Sequence, residues 1–284
     1  MIAVYAMGGG LGHLARAQRV LQALGCAPAD AAIFTASPFA AQVSRAGSRV
    51  VRVPRRLARS AAAFGAWLKE ELRALAPSAV LVDAFPLGIL GELADPRVLP
   101  QVPLYHVARL LKWKAYRAAC ADQMCGTPRT YDASFSVETL TPVHEEFLAS
   151  HSKLFRSIDL PFDLRATPEN PFPAMPKPVW LIVHGGCAAE VHELLEFSCK
   201  QAKLENVAPR YVVVSPRALH LPAGVTRIAH PRAWELFPYA ERIVTACGFN
   251  TMREAAPWRA KHLYLPFERR FDDQHLRAAR ARQC

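Results

Sequence analysis

Two junctions at which an apolar strand runs directly into glycines constrain this sequence more than any other feature. Residues 2–5 lead into glycines at 8–10, and residues 179–183 lead into glycines at 185–186. Glycines after a strand allow a tight turn into a helix, and the first amides of that helix have no partner within it. Each junction is therefore typical of the opening strand, loop and helix of a ligand-binding α/β domain.

The pattern after each junction alternates short apolar runs with helical periodicity, which predicts βαβ units and a parallel sheet in each half. In the first half the predicted strands are residues 2–5, 32–35, 49–53, 79–82, 102–107 and 133–137, and the predicted helices are residues 14–24, 39–46, 58–75 and 142–149. In the second half the predicted strands are residues 179–183, 211–214, 226–229, 242–246 and 262–265, with a helix at 190–204. The predicted fold class is α/β.

A proline-rich stretch at residues 159–178 separates the two series. Prolines at this density exclude a helix or a central strand, so the stretch is interpreted as a linker. The predicted first domain is therefore residues 1–158 and the predicted second domain is residues 179–284.

Composition narrows the class of protein. The 284 residues are 51% hydrophobic and 21% charged, which is typical of a globular chain, and no apolar run approaches the roughly 18 residues that span a bilayer. The seven cysteines are scattered and odd in number, which favours reduced thiols, and none completes a zinc site. The expected location is the cytoplasm, with the inner face of the membrane as an alternative.

The net charge of +11 includes two basic clusters. They consist of Arg49, Arg52, Arg55, Arg56 and Arg59, and of Arg109, Lys112, Lys114 and Arg117. Both follow predicted strands, so we expect them on loops at the carboxyl edge of the sheet, facing an anionic substrate or simply solvent. Residues 110–117 also mix apolar and basic side chains as a membrane-surface segment does. Nucleic acid is disfavoured because few aromatic residues are interleaved with the charges.

The first glycine loop is neither of the two common phosphate-binding motifs. His13 occupies the third glycine position of a dinucleotide fingerprint, residues 35–37 after the second strand contain no acid, and no Gly-Lys-Ser/Thr follows. A histidine at the opening of this helix suits a general base for a hydroxyl or a water, because its ordinary pKa of about 6.5 leaves it largely neutral at pH 7. The alternative is a polar helix cap without chemistry.

The second glycine turn lies in residues 242–254 and is followed by residues 262–278. A strand enters a glycine turn and a helix that we expect to open at Thr251, so the turn's free amides suit a phosphate and Glu254 suits a ribose diol. Thr251 and Glu254 also fit a capping box, which leaves a purely structural role open. Asp273 and Gln274 follow the next strand, at the same sheet edge, and suit sugar hydroxyls.

With these residues in view, the chain resembles a known family. The run Gly-Phe-Asn-Thr-x-x-Glu at 248–254, followed by a strand ending in proline and by Asp273-Gln274, is similar to the carboxyl half of GT-B glycosyltransferases of the family-28 type. That family includes the lipid II-forming N-acetylglucosamine transferase. Gly-Gly-x-Gly-His-x-x-Arg at 9–16 resembles its amino half, and residues 82–88 resemble a motif of bacterial proteins described only as predicted glycosyltransferases.

The resemblance implies two Rossmann-like domains with parallel sheets facing across a cleft, and a hexosyltransferase-like enzyme that needs no metal or cofactor. It implies a nucleotide-sugar donor, UDP-linked, and an unknown acceptor. His13 matches the acceptor-side histidine, with Asp83 as a candidate to orient it from the neighbouring strand and with Gly9, Gly10 and Gly12 in the acceptor-side loop. The implied donor-binding residues are His184, Gly185, Gly186, Gly248, Phe249, Asn250, Thr251, Glu254, Asp273 and Gln274.

Two alternatives stay open. The first glycine-histidine motif is also similar to that of UDP-sugar hydrolases of the pseudaminic acid pathway, which use a histidine to activate water. Asp273 and Gln274 favour the transferase over this hydrolase. The other alternative is a catalytically silent nucleotide-sugar-binding protein.

Overall fold

The computed structural model describes residues 1–45, 47–123, 128–160, 170, 172 and 178–283, without the side chains of residues 42, 43 and 45. Most of the predicted linker at 159–178, together with Cys125 and Cys284, lies outside the described residues. The chain divides into two compact units. Unit 1 is Met1–Pro161 with Arg270–Asp272, and unit 2 is Phe162–Arg269 with Asp273–Cys284.

Unit 1 contains a parallel sheet of seven strands among the described residues. The strands are β1 (Ile2–Tyr5), β2 (Ala31–Thr35), β3 (Arg49–Arg52), β4 (Ala79–Asp83), β5 (Leu104–Ala108), β6 (Ala133–Ser136) and β7 (Phe155–Ser157). The helices are α1 (Leu11–Ala23), α2 (Ala40–Arg45), α3 (Ala61–Leu75), α4 (Trp113–Cys120) and α5 (Pro142–Ser150). The order β3-β2-β1-β4-β5-β6-β7 places the change of winding direction between β1 and β4.

Unit 2 repeats this design with five parallel strands in its described part. The strands are β8 (Val179–Val183), β9 (Arg210–Val214), β10 (Thr226–Ile228), β11 (Arg242–Ala246) and β12 (His262–Leu265). The helices are α6 (Ala188–Leu204), α7 (Phe249–Glu254) and α8 (Gln274–Gln283). The order β10-β9-β8-β11-β12 places the change of direction between β8 and β11.

The central strands are largely apolar, and most of their residues are buried. In unit 1, Val4 on β1 and Val82 on β4 are fully buried, and Phe34, Phe64 and Leu68 belong to the largest apolar cluster. In a parallel sheet, the residues that directly follow the strands all lie at the same edge of the sheet. Ligands of open α/β sheets bind at this carboxyl edge where the winding reverses.

The predicted α/β class with two parallel sheets is confirmed, and the predicted strands agree with the structure to within two residues. Three elements were not predicted, the edge strand β7 and the helices α4 and α8. The buried residues of α4, Trp113, Tyr116 and Cys120, lie three or four apart, but the basic residues Lys114 and Arg117 interrupt this apolar periodicity in the sequence. The basic segment that was predicted to be a loop therefore forms the packed helix α4.

Candidate functional site

His13 lies at the carboxyl edge of unit 1, at the point where the sheet changes direction. It is the third residue of α1, which starts at Leu11 after the loop that follows β1. Asp83 is the last residue of β4, the strand on the other side of the reversal. The His13 Nδ1 atom lies 2.6 Å from Asp83 Oδ2, so the structure brings these two predicted residues into hydrogen-bond contact.

Arg16 completes the group and was not among the predicted site residues. Its Nε and Nη2 atoms lie 2.5 Å and 2.7 Å from the two carboxylate oxygens of Asp83, and both side chains are 2% exposed. The spacing of three residues from His13 to Arg16 puts both on one face of α1, so the motif Gly-His-x-x-Arg contained the signal. The buried carboxylate therefore accepts hydrogen bonds from Arg16 and His13 together.

These contacts fix the protonation of the pair. Burial lowers the pKa of His13 below its ordinary value, and the hydrogen bond that His13 donates to Asp83 only partly opposes this. Burial raises the pKa of Asp83, but the Arg16 charge and the His13 hydrogen bond outweigh it and hold the pKa well below its usual range. An ionised carboxylate can only accept, so His13 Nδ1 carries the proton and Nε2 presents a free lone pair.

The His13 ring is placed by packing as well as by its hydrogen bond. It stacks on Phe85 with ring centroids 5.5 Å apart and planes 26° apart. A Cβ atom added at Gly8 would overlap ring atoms Cδ2 and Nε2. The close approach of the loop to the imidazole therefore requires glycine at this position.

Gly8 is the loop glycine that the structure singles out, whereas the sequence pointed to Gly9, Gly10 and Gly12. A Cβ at Gly9 would have nothing within 4 Å, and one at Gly10 would meet only a backbone nitrogen at 4.0 Å. Gly10 precedes α1 as its N-cap without a side-chain hydrogen bond, and its carbonyl accepts a hydrogen bond from Ser37 Oγ at 3.1 Å. These glycines leave open space beside the helix start.

The loop after β4 holds Phe85 beneath His13. Ala84 adopts a left-handed conformation with φ of 68°, a strained state for a residue with a Cβ atom. Two buried tyrosine hydroxyls then fix the loop: Tyr131 donates to the Pro86 carbonyl at 2.7 Å, and Tyr116 donates to the Gly88 carbonyl at 2.9 Å. The orientation of His13 therefore rests on a rigid support.

The two predicted basic clusters differ in the structure. The five arginines of the first, on β3 and the turn after it, are all exposed. In the second, Arg109 is buried and pairs with Asp272, and Arg117 lies over the Phe147 ring at 4.7 Å. Leu110, Leu111 and the aromatic residues of the run 110–117 are buried, so they do not form the membrane-facing apolar surface that the sequence suggested.

In unit 2, His184 directly follows β8 and lies at the equivalent reversal point. Its Nε2 atom lies 2.5 Å from the Glu190 Oε2 atom, in the first turn of α6. Arg269 donates to both oxygens of the same carboxylate, with Nη2 to Oε2 at 2.8 Å. Burial raises the pKa of Glu190, but the hydrogen bonds from His184 and Arg269 prevail and lower it to about 2.

The glycines beside His184 serve different purposes. A Cβ at Gly186 would overlap His184 Nε2 and Glu190 Oε2, so glycine permits this pairing. The Gly185 carbonyl accepts a hydrogen bond from Arg217 Nε at 3.3 Å. Neither Glu190 nor Arg269 was among the predicted donor-binding residues.

The second glycine turn has a different helix start from the predicted one. Helix α7 begins at Phe249 with Gly248 as its N-cap, and Glu254 is its last residue. Thr251 therefore lies inside the helix, and the proposed capping box with Glu254 is wrong. The helix starts earlier because Gly248 is extended, with φ of −68° and ψ of 146°, and ends the strand-to-helix turn there. Phe249 is buried, and Asn250 follows it on the first turn.

Asp273 and Gln274 have structural contacts in this state. The Asp273 Oδ1 atom accepts a hydrogen bond from the Leu276 amide at 3.0 Å, which makes it the N-cap of α8. Gln274 is buried, and its Oε1 atom accepts from the Phe267 amide at 3.0 Å. The pair thus fixes the loop after β12, and its predicted contact with a donor sugar stays a prediction.

No family model matches the chain, and no curated protein matches its sequence. Among solved structures, the glycosyltransferase SnogD from Streptomyces nogalater is 19% identical with a TM-score of 0.53, and the alignment covers 94% of this chain and 82% of SnogD. The spinosyn rhamnosyltransferase SpnG with thymidine diphosphate is 18% identical with a TM-score of 0.61 and coverages of 99% and 84%. The calicheamicin glycosyltransferase CalG4 is 17% identical with a TM-score of 0.55 and coverages of 99% and 89%.

The chain has the GT-B fold. This confirms the fold that the sequence resemblance implied, without identifying the family-28 type within it. In the described part of this GT-B chain, no set of three histidine, cysteine, aspartate or glutamate side chains is arranged to hold a metal ion. No helix of the described residues has the length and apolar character needed to cross a bilayer.

Proposed function

We propose that this chain is a metal-independent glycosyltransferase that moves a sugar from a nucleotide donor to a hydroxyl acceptor. The observation that carries the proposal is the His13–Asp83 pair at the reversal point of unit 1, in which Asp83 is buried and the partly exposed His13 has a neutral imidazole whose Nε2 atom has a free lone pair. Such a group removes a proton from a hydroxyl as the hydroxyl oxygen attacks an electrophilic carbon.

The reaction follows from this arrangement. His13 Nε2 takes the acceptor's proton while the acceptor oxygen forms a bond to the anomeric carbon of the donor sugar. The bond from that carbon to the nucleoside diphosphate breaks, and the diphosphate leaves with the electron pair. The ionised Asp83 stabilises the imidazolium that forms, and Arg16 keeps Asp83 ionised by its adjacent charge.

Unit 2 is the proposed donor side. Its reversal point carries the loop of His184 and Gly185–Gly186 and the turn at residues 248–251, where backbone amides suit a diphosphate. Glu254 is proposed to hold the ribose, and Asp273 with Gln274 the sugar. SpnG, whose solved structure contains thymidine diphosphate, supports a nucleoside-diphosphate donor. We retain UDP as the expected nucleotide, with dTDP as the direct competitor.

The further features of the proposal come from the sequence. Residues 1–158 are the proposed acceptor-side domain and residues 179–284, apart from Arg270–Asp272 of unit 1, the proposed donor domain, and the family-28 type is the proposed subfamily. The enzyme is expected to use no cofactor and to act in the cytoplasm. The solved structure of SpnG with the spinosyn aglycone supports an acceptor that binds a GT-B enzyme as a separate molecule.

The decisive experiment incubates the protein with UDP- and dTDP-sugars, with and without a panel of hydroxyl acceptors, and measures nucleotide release. Release that depends on an acceptor, and that His13→Ala abolishes while nucleotide affinity stays unchanged, supports the transferase. Rapid stoichiometric release without an acceptor identifies water as the acceptor and the protein as a hydrolase. Tight donor binding with no release under any condition identifies a silent binding protein.

A further inference from the structure

Side chains from three separate segments of unit 2 meet beside the β8 loop, where two of them contact the carboxylate of the third. His184 follows β8, Glu190 lies in the first turn of α6, and Arg269 lies after β12. Glu190 accepts hydrogen bonds from His184 Nε2 and from both terminal nitrogens of Arg269. A forked guanidinium and an imidazole N–H are the donors that recognise phosphate oxygens as well as carboxylates.

The role of Glu190 is not explained by helix capping. As the third residue of α6 after the N-cap Cys187, a glutamate ordinarily reaches back to the N-cap amide. Glu190 instead directs both oxygens to His184 and Arg269, although α6 has no side-chain cap at Cys187. Its lowered pKa, to about 2, keeps it an anion under all working conditions.

The location of this cluster favours an exchangeable anion. It lies at the carboxyl end of β8, beside the reversal between β8 and β11 where ligands of α/β sheets bind. The Arg269 side chain is 32% exposed and Glu190 is 18% exposed, so solutes reach the ion pair, whereas His184 is 7% exposed. Arg269 also lies over the Phe267 ring at 5.6 Å, which holds its guanidinium in place when its anion changes.

We propose that His184 and Arg269 form a clamp for the donor's diphosphate and that Glu190 is a resident anion which the diphosphate displaces. This inference rests on the proposed function, because it takes unit 2 as the donor side, and it adds two residues to that site. Glu190 keeps the clamp ordered and neutralised in the free protein. When a diphosphate displaces Glu190, it accepts the hydrogen bonds from His184 and Arg269 that Glu190 accepted before. Because a ligand must compete with Glu190 for these donors, ligands with a single weak charge bind poorly.

The test measures the affinity of UDP, dTDP and uridine by calorimetry for the wild type and for Glu190→Gln and Arg269→Gln. We expect Glu190→Gln to raise the affinity for both nucleoside diphosphates about tenfold, because the competing charge is gone, and Arg269→Gln to lower it about tenfold or more. Uridine lacks the diphosphate, so its affinity should not change. Glu193→Gln and Lys200→Gln, exposed positions on α6 with the same charge changes, should bind UDP as the wild type does.

The outcomes separate this inference from the proposed function. If the wild type binds neither nucleoside diphosphate, the donor assignment fails and the clamp fails with it. If UDP or dTDP binds normally but Glu190→Gln weakens it alongside Arg269→Gln, Glu190 is a structural support and the displacement is refuted. If UDP or dTDP binds all variants with equal affinity, the clamp is refuted while the donor assignment stands. Glu190→Asp, which retracts the carboxylate but keeps its charge, provides the same comparison if Glu190→Gln does not fold, with a smaller rise expected.

Discussion

Replacing Gly8 by alanine tests whether the placement of the His13 ring governs activity. The added Cβ atom would overlap Cδ2 and Nε2 of the imidazole, so the ring must leave its stacked position on Phe85. Leaving breaks the 2.6 Å hydrogen bond to the ionised Asp83. A hydrogen bond to a charged group contributes about 1.5–3 kcal/mol, so the free energy of unfolding should fall by about that amount. Loss of a positioned general base should lower turnover by about 10²- to 10⁴-fold.

Gly9→Ala is the matched control, because a Cβ at Gly9 meets nothing within 4 Å. Both changes restrict the unfolded chain equally, so this contribution cancels between them. Turnover is measured as acceptor-dependent nucleotide release, stability by urea unfolding, and nucleotide affinity by calorimetry. Gly9→Ala should stay within about 0.5 kcal/mol of the wild type and retain its turnover. Full turnover in Gly8→Ala, or an equal loss in both variants, would refute the argument that the loop positions the base.

Three further predictions concern charge and protonation. Asp83→Asn leaves the buried Arg16 guanidinium without its counter-charge, so urea unfolding should show a loss of about 3–5 kcal/mol; an unchanged midpoint would contradict the ion pair. Glu254→Ala should weaken UDP binding in calorimetry while α7 stays folded, and equal affinity would remove the ribose assignment. Burial lowers the pKa of His106 to about 4 and that of His144 to about 3 in the folded protein. In the unfolded chain both histidines have the ordinary pKa of about 6.5, so the unfolded chain binds protons before the folded protein does as pH falls. Thermal unfolding should therefore show stability falling by up to about 1.4 kcal/mol per pH unit for each histidine between pH 6 and 4, and a His106→Phe, His144→Phe double variant should show a flatter profile.

The pH dependence of turnover has a separate origin from that of stability. The base form of His13 is the active one, and burial lowers its pKa below the ordinary value. Turnover should therefore decline at a lower pH than it would with an ordinary histidine, as pH falls through the lowered pKa. A decline that begins above pH 7 would show that His13 is protonated more easily than the structure implies.

The order of strands and helices was readable from the sequence because it depends on local periodicity. The buried central strand β8 is a continuous apolar run, and glycines mark the turns that follow β8 and β11. The His13 motif was readable for the same reason, since a strand, a glycine loop and a helix are neighbours in the chain. Helix α4 was missed because its basic residues obscured an apolar face that only packing makes evident.

The site depended on contacts between distant residues, which no local pattern specifies. Asp83 was a candidate partner of His13, but the strand order that places β4 next to β1 is a property of the whole sheet. The need for glycine at position 8 instead of 9 follows from the position of a ring five residues further on. The pairing of Glu190 with Arg269 joins segments 79 residues apart.

The sequence by itself therefore determined two α/β series, their glycine loops and the histidine at the first loop. Only the tertiary structure determines which charged side chains are buried, that Asp83 pairs with His13, and that Glu190 pairs with His184 after β8. The physical reason is that periodicity and turn chemistry act over a few residues, whereas burial and ion pairing arise only when the sheets bring distant segments to one edge.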